Sequence, residues 1–185
     1  MKSVLISIRP QWVEKIANGE KTIEVRRTRP KLEVPFKCYI YETQGQYIKF
    51  IHGAHTKYGY GCGKVIGEFI CDRIICSQAY FDSQGKNHLT NVFPDDIKKT
   101  CLDEYDLWDY IAGKAVKANQ MYDGYLWHIS DLKIYDKPKE LSEFRKPCDR
   151  FLDCFTCRRL VRNEYMSCDN KINRPPQSWC YVEDL

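Results

Sequence analysis

The sequence has no long apolar run. No stretch approaches the 18 apolar residues that a membrane helix needs, and the run that follows Met1 ends at Arg9, too early for the core of a signal peptide. We therefore expect no membrane partner and a cytoplasmic location, where thiols stay reduced. A glycine-rich phosphate loop and a nucleophile-elbow motif are also absent, which argues against nucleotide hydrolysis of the P-loop type and against α/β-hydrolase chemistry.

The composition indicates one folded domain of ordinary size, with an appendage at most. The chain has 185 residues, of which 14% are aromatic, and disordered chains are poor in aromatic side chains. Ten cysteines are too few for a disulfide scaffold and many for simple core packing. The net charge of +4 is unevenly distributed, because residues 1–32 hold eight basic against three acidic side chains and residues 145–174 hold eight against four. A polyanion would prefer these two regions.

Hydrophobic periodicity predicts a strand, a short helix and a strand at the start of the chain. Val4 to Arg9 and Lys21 to Arg27 alternate as strands do, and between them Pro10 opens a helix over Gln11 to Asn18. Further strands are predicted at 36–43, 64–77, 125–135 and 178–182, helices at 95–101 and 103–112, and a loop or hairpin at 44–63. This mixture predicts an α+β domain built on a β-barrel.

The opening elements also bring charged side chains together. A short helix between two strands lets Ser7 and Arg9, at the end of the first strand, approach Lys21 at the start of the second. Because strand side chains alternate between faces, Glu24 and Arg26 share one face. One acid and several bases are therefore expected to converge beside the helix.

These residues form a motif that resembles a known family. The strand end Ser7-Ile8-Arg9-Pro10 and the strand Gly19-Glu20-Lys21-Thr22-Ile23-Glu24-Val25-Arg26 are similar to the signature of the activating-signal-cointegrator homology (ASCH) domain. The resemblance covers roughly residues 1–135 and implies a PUA-like β-barrel with short helices, whose cleft takes RNA or a nucleobase. Some ASCH proteins remove the acetyl group from N4-acetylcytidine, and one is a ribonuclease. Lys21 matches the catalytic lysine of those amidohydrolases, whereas Glu24 stands where they have a threonine.

Three readings of the function remain open from the sequence. The first is binding of RNA or a modified nucleoside, without turnover, by a cleft lined by Ser7, Arg9, Lys21, Glu24 and Arg26. The second is catalysis, either by an amidohydrolase that acts on an N4-acylated cytidine, with Lys21 as base or nucleophile and Glu24 or Glu104 assisting, or by a ribonuclease. A protein-binding module is a third reading, and the oligomeric state is open.

The C-terminal part of the chain carries a possible metal site. Four cysteines follow one another with spacings of five, two and ten residues, and four thiolates favour zinc. We predict a structural zinc ion in a zinc-knuckle-like segment held by Cys148, Cys154, Cys157 and Cys168, with Cys180 as an alternative ligand. The predicted boundaries are 1–141 for the ASCH/PUA-like domain, 142–174 for the basic, cysteine-rich segment and 175–185 for a C-terminal strand that returns to the barrel.

Overall fold

The structure is a computed structural model that describes residues 2–51, 55–113, 117, 120–148 and 170–185. Fourteen α-helices and β-strands are present in this part of the chain, in the order β1 (Lys2–Ile8), α1 (Pro10–Ala17), β2 (Ile23–Arg26), β3 (Phe36–Glu42), β4 (Gly45–Ile51), β5 (His55–Gly61), β6 (Val65–Cys71), β7 (Ile74–Phe81), β8 (Asn87–Leu89), α2 (Pro94–Thr100), α3 (Glu104–Ala112), β9 (Tyr122–His128), β10 (Ser130–Lys139) and β11 (Trp179–Glu183), with a 3-10 helix at Leu141–Glu143. None of the described helices is long and apolar enough to cross a bilayer.

The strands form two sheets and a separate hairpin. The larger sheet has the order β10-β6-β3-β1-β11, in which β1 runs parallel to β3 and the other described pairs are antiparallel. The second sheet has the order β2-β9-β7-β8 and is antiparallel throughout. Strands β4 and β5 pair in register from Gly45 opposite Gly61 to Ile51 opposite His55, which confirms the hairpin alternative for 44–63.

The chain crosses between the two sheets at two neighbouring corners. Residues Asp72 and Arg73 separate β6 from β7, and Ile129 separates β9 from β10. The corners are joined because the backbone N–H of His128 donates to the carbonyl of Arg73 at 2.9 Å, and the His128 ring lies 2.6 Å from the Asp72 carboxylate. The single strands predicted at 64–77 and 125–135 are therefore each two strands in different sheets.

These corners also revise the predicted barrel. The α+β class is confirmed, with three α-helices beside the mixed sheets. Among the described strands, however, the hydrogen-bonded ladders form two open sheets and no closed barrel. The physical reason is that the chain leaves one sheet at each corner and continues in the other. The two edge strands of a sheet therefore do not pair with each other.

The core lies on both faces of β1. Val4, Ile6 and Ile8 pack in one cluster with Trp127 of the second sheet, while Leu5 packs on the other face in a second cluster. That second cluster contains Phe144 and Ile172, which lie near the two ends of the predicted cysteine-rich segment. Strand β1 is therefore buried on both faces, and its end brings Ser7 to the region where the predicted site residues converge.

Candidate functional site: a cleft between the first helix and the third

Lys21 lies just after α1 and is almost wholly buried, with 3% of its surface exposed. Its ammonium group donates at 2.8 Å to the carbonyl of Ile23 and at 2.8 Å to the carbonyl of Thr100, and lies 3.4 Å from Oε2 of Glu24. Thr100 is the last residue of α2, where the partial negative charge of the helix C-terminus favours a cation. The three donors of the ammonium group therefore face three oxygens.

Glu24 joins Lys21 to Arg26. Its second oxygen, Oε1, lies 3.0 Å from Arg26, and Glu24 and Arg26 are 6% and 8% exposed. Arg26 also donates to the backbone carbonyl of Ser7 at 2.6 Å, which ties β2 to the end of β1. We call Lys21, Glu24 and Arg26 the buried triad. Its net charge is +1, and it forms because the strand period of two places Glu24 and Arg26 on one face of β2.

Ser7 and Arg9 complete the predicted set in different ways. The Ser7 hydroxyl donates to the carbonyl of Pro176 at 2.6 Å, so it attaches the C-terminal residues to β1. Arg9 is exposed and precedes α1, where its side chain lines the same cleft as the buried triad. The structure thus brings all five predicted binding residues to one place.

The cleft has a volume of about 790 Å³ and is open to solvent. Besides the predicted residues, its lining includes Trp12 of α1 together with Asp106, Asp109 and Tyr110 of α3. The sequence interpretation did not assign these α3 side chains to the site. Their spacing was an available signal, because positions 106, 109 and 110 share one helical face, opposite the buried Trp108 and Ile111.

Tyr110 is the titratable aromatic group of the cleft wall. Burial raises the pKa of its phenol, Glu24 raises it further, and Arg26 and Arg27 act in the opposite direction. At neutral pH, Tyr110 is therefore a neutral hydroxyl that can donate or accept a hydrogen bond. Trp12 is partly exposed, and the Lys21 ammonium lies 5.3 Å from the centre of its ring.

Glu104 does not reach the cleft. It is exposed at the start of α3 and lines a separate pocket of about 520 Å³ together with His88, Tyr105 and Trp108. Glu104 precedes Asp106 by two residues, which is a rotation of about 200° around the helix, so it points away from the face that carries Asp106 and Asp109. The predicted catalytic partners Lys21 and Glu104 are not brought together, whereas Lys21 and Glu24 are.

The predicted zinc site falls largely on residues that the structure does not describe. Cys154, Cys157 and Cys168 lie outside the described residues, while Cys148 is described and partly buried. In the described ranges, no group of three or more His, Cys, Asp or Glu side chains could hold a metal ion. The two ends of the predicted segment pair with each other, since Arg145 bridges to Lys171. Zinc binding stays a prediction.

Comparison with known proteins identifies the fold. No protein-family model matches the chain, and no curated protein matches it. The crystal structure of ASCH from Zymomonas mobilis superposes with a TM-score of 0.51 at 16% identity, over 98% of this chain and 87% of that protein. The chain has the ASCH fold. A tyrosine-to-phenylalanine variant of the same Zymomonas protein gives a TM-score of 0.50 at 15% identity, over 99% of this chain and 91% of that one.

The ASCH fold agrees with the resemblance inferred from the opening motif. In this ASCH fold the buried triad forms the floor of the cleft, α1 and α3 provide its walls, and Pro175, Pro176 and Gln177 close one side. The residues before β11 are therefore part of the site, a contribution that the sequence interpretation did not anticipate.

Proposed function

We propose that this ASCH-fold protein binds RNA by taking one base, or a modified nucleoside, into the cleft. The observation that carries the proposal is the combination, in one open cavity of about 790 Å³, of aromatic rings and buried, paired polar groups. Pockets of this size suit a nucleoside. Trp12 and Tyr110 offer ring faces for stacking, and Glu24 and Arg26 offer an acceptor and donors for a base edge.

The charge of the cleft favours a base over a phosphate. Its basic side chains are Arg9, Lys21 and Arg26, and its acidic ones are Glu24, Asp106 and Asp109, so the formal charges sum to zero. A site for phosphate groups needs an excess of positive charge. A neutral heterocycle with donors and acceptors on its edge is the better match, with the sugar-phosphate backbone outside the cleft.

The surroundings of Lys21 support binding without a Lys21-dependent reaction. A lysine that acts as base or nucleophile presents a nitrogen lone pair to its substrate. Here all three acceptors around Nζ are placed to receive N–H donors. We therefore propose that Lys21 positions Glu24 and the end of α2, and that the cleft recognises its ligand through the rest of its lining.

Binding measurements on matched variants test the proposal. Trp12→Leu keeps an apolar side chain but removes the stacking surface, which is worth about 1–3 kcal/mol per base. We expect roughly five- to 150-fold weaker binding of short single-stranded RNA in fluorescence titrations. Tyr105→Leu is the matched control, because Tyr105 is an exposed aromatic residue outside the cleft.

A second pair of variants tests the exposed arginine that lines the cleft. Arg9→Ala should weaken RNA binding, and Arg73→Ala, which removes an exposed arginine outside the cleft, should not. Equal affinities for the cleft variants and their controls, with thermal unfolding unchanged, would show that the cleft does not bind RNA.

A further inference from the structure

A basic segment begins where the cleft ends. Arg26 contributes to the floor of the cleft, and the residues that follow β2 include Arg27, Arg29 and Lys31, all of which are exposed. We call these three residues the basic strip. Since the charges inside the cleft sum to zero, the strip is the adjoining surface with an excess of positive charge.

The strip is held in place by aromatic residues from three different elements. Arg27 donates from Nε to the carbonyl of Tyr110 at 2.7 Å, and its guanidinium lies 5.6 Å from the centre of that ring. The Arg29 guanidinium lies 5.9 Å from the Tyr125 ring in β9. The backbone N–H of Lys31 donates to the Tyr181 hydroxyl of β11 at 2.7 Å. The segment therefore spans both sheets in a defined conformation.

Neighbouring contacts hold the middle of the segment as well. The indole N–H of Trp179 donates to the hydroxyl of Thr28 at 3.0 Å, and the Trp179 ring packs edge-on against Tyr181 at 5.4 Å between centres. Basic side chains that are packed among aromatic rings in this way are typical of surfaces that bind single-stranded nucleic acid.

The positive charge of the strip is not neutralised within the described part of the chain. No described carboxylate lies within ion-pairing distance of Arg27, Arg29 or Lys31, whereas Lys21, Lys37 and Lys64 each have a described carboxylate partner. Three like charges within five residues repel one another in the free protein. A polyanion relieves that repulsion and releases counterions when it binds.

The dimensions of the strip fit a short run of phosphates. Four residue steps separate Arg27 from Lys31, and an extended chain covers at most about 14 Å in that number of steps. Stacked single strands carry one phosphate per about 3.4 Å, so the strip spans at most about four phosphates. Tyr110 lines the cleft and also packs against Arg27, which makes the two surfaces continuous.

We propose that the basic strip is the path of an RNA strand whose backbone lies along Arg27, Arg29 and Lys31 while one of its bases occupies the cleft. The proposal rests on the proposed function of the cleft and extends it from a single nucleoside to a single-stranded segment. The guanidinium groups of Arg27 and Arg29, which lie 5.6 and 5.9 Å from tyrosine ring centres, can bind phosphates or stack against flanking bases.

The test compares a strip variant with a variant of equal charge loss. Arg29→Gln/Lys31→Gln removes two cations and leaves Arg27, which binds the end of α3, in place. Lys133→Gln/Lys137→Gln removes two exposed cations from β10. Affinity for a six-nucleotide single-stranded RNA is measured between 50 and 300 mM salt, and affinity for a single nucleoside is measured in parallel.

We expect the strip variant to lower the salt dependence of RNA binding by about 1.4 in the log–log slope, at about 0.7 per phosphate contact, with nucleoside binding unchanged. A slope and affinity equal to those of the β10 variant would overturn the strip proposal and leave the cleft proposal standing. A strip-dependent slope combined with no effect of Trp12→Leu would overturn the cleft proposal, and with it the base in the cleft, and would leave the strip as a contact for the RNA backbone alone. Strip-dependent binding to anionic lipid vesicles without RNA binding would also overturn the strip proposal.

Discussion

Glu24→Gln removes the negative charge from the buried triad and leaves two cations without their carboxylate. The side chains of Lys21, Glu24 and Arg26 are 4%, 8% and 10% exposed, so solvent screens them little. Taking one partner from a buried ion pair costs about 3–5 kcal/mol, because the remaining charge stays desolvated. That cost is a large part of the roughly 5–15 kcal/mol that stabilises a domain.

The assay is urea unfolding followed by tryptophan fluorescence and circular dichroism. With a slope of about 2 kcal/mol per molar urea, a loss of 3–5 kcal/mol lowers the midpoint by about 2 M. Glu20→Gln is the matched control, since Glu20 pairs with Lys15 at 3.5 Å on the surface, where such a pair contributes under about 1 kcal/mol. If Glu24→Gln and Glu20→Gln lower the free energy of unfolding equally, the buried triad does not stabilise the fold and the reasoning is refuted.

Three further predictions concern other parts of the chain. The hydrogen bond from His128 lowers the pKa of Asp72 below its usual 3.8. The pair therefore stabilises the fold above that pH, and its contribution is lost as the pH falls further. Between pH 6 and pH 2, the free energy of unfolding of Asp72→Asn should decrease less than that of the wild type. Burial raises the pKa of the Cys71 thiol to about 12, and we expect iodoacetamide at pH 8 to label the exposed Cys76 in native protein but Cys71 only after unfolding, as read by mass spectrometry. The predicted zinc segment should yield one zinc per chain in metal analysis, and zinc-free native protein in which the four predicted cysteine ligands all react would contradict it.

Local elements were predictable from the sequence because each depends on neighbouring residues. Pro10 and the apolar positions Val13 and Ile16 predict α1, and the structure confirms it at Pro10–Ala17. The convergence of Ser7, Lys21 and Arg26 followed from the same short connection, since a strand, a helix and a strand bring their ends together.

The sheet crossings were not predictable in the same way. Val65–Cys71 and Ile74–Phe81 are both rich in strand-forming residues, so periodicity does not show that Asp72 and Arg73 turn the chain into another sheet. The same limit applies to the distant parts of the site. A local pattern places Asp106 on one face of α3, but that this face and Pro176 reach the cleft depends on tertiary packing, which local patterns do not contain.

Photo-crosslinking tests the central claim, that the cleft binds a base of an RNA strand, most directly. A short RNA that carries a single 4-thiouridine is irradiated with the protein, and the crosslinked peptides are identified by mass spectrometry. The account predicts crosslinks to Trp12 or Tyr110, which line the cleft, and their loss when an excess of unmodified RNA competes. Crosslinks confined to residues outside the cleft and the basic strip, such as His88 and Tyr105 of the separate pocket, would contradict it.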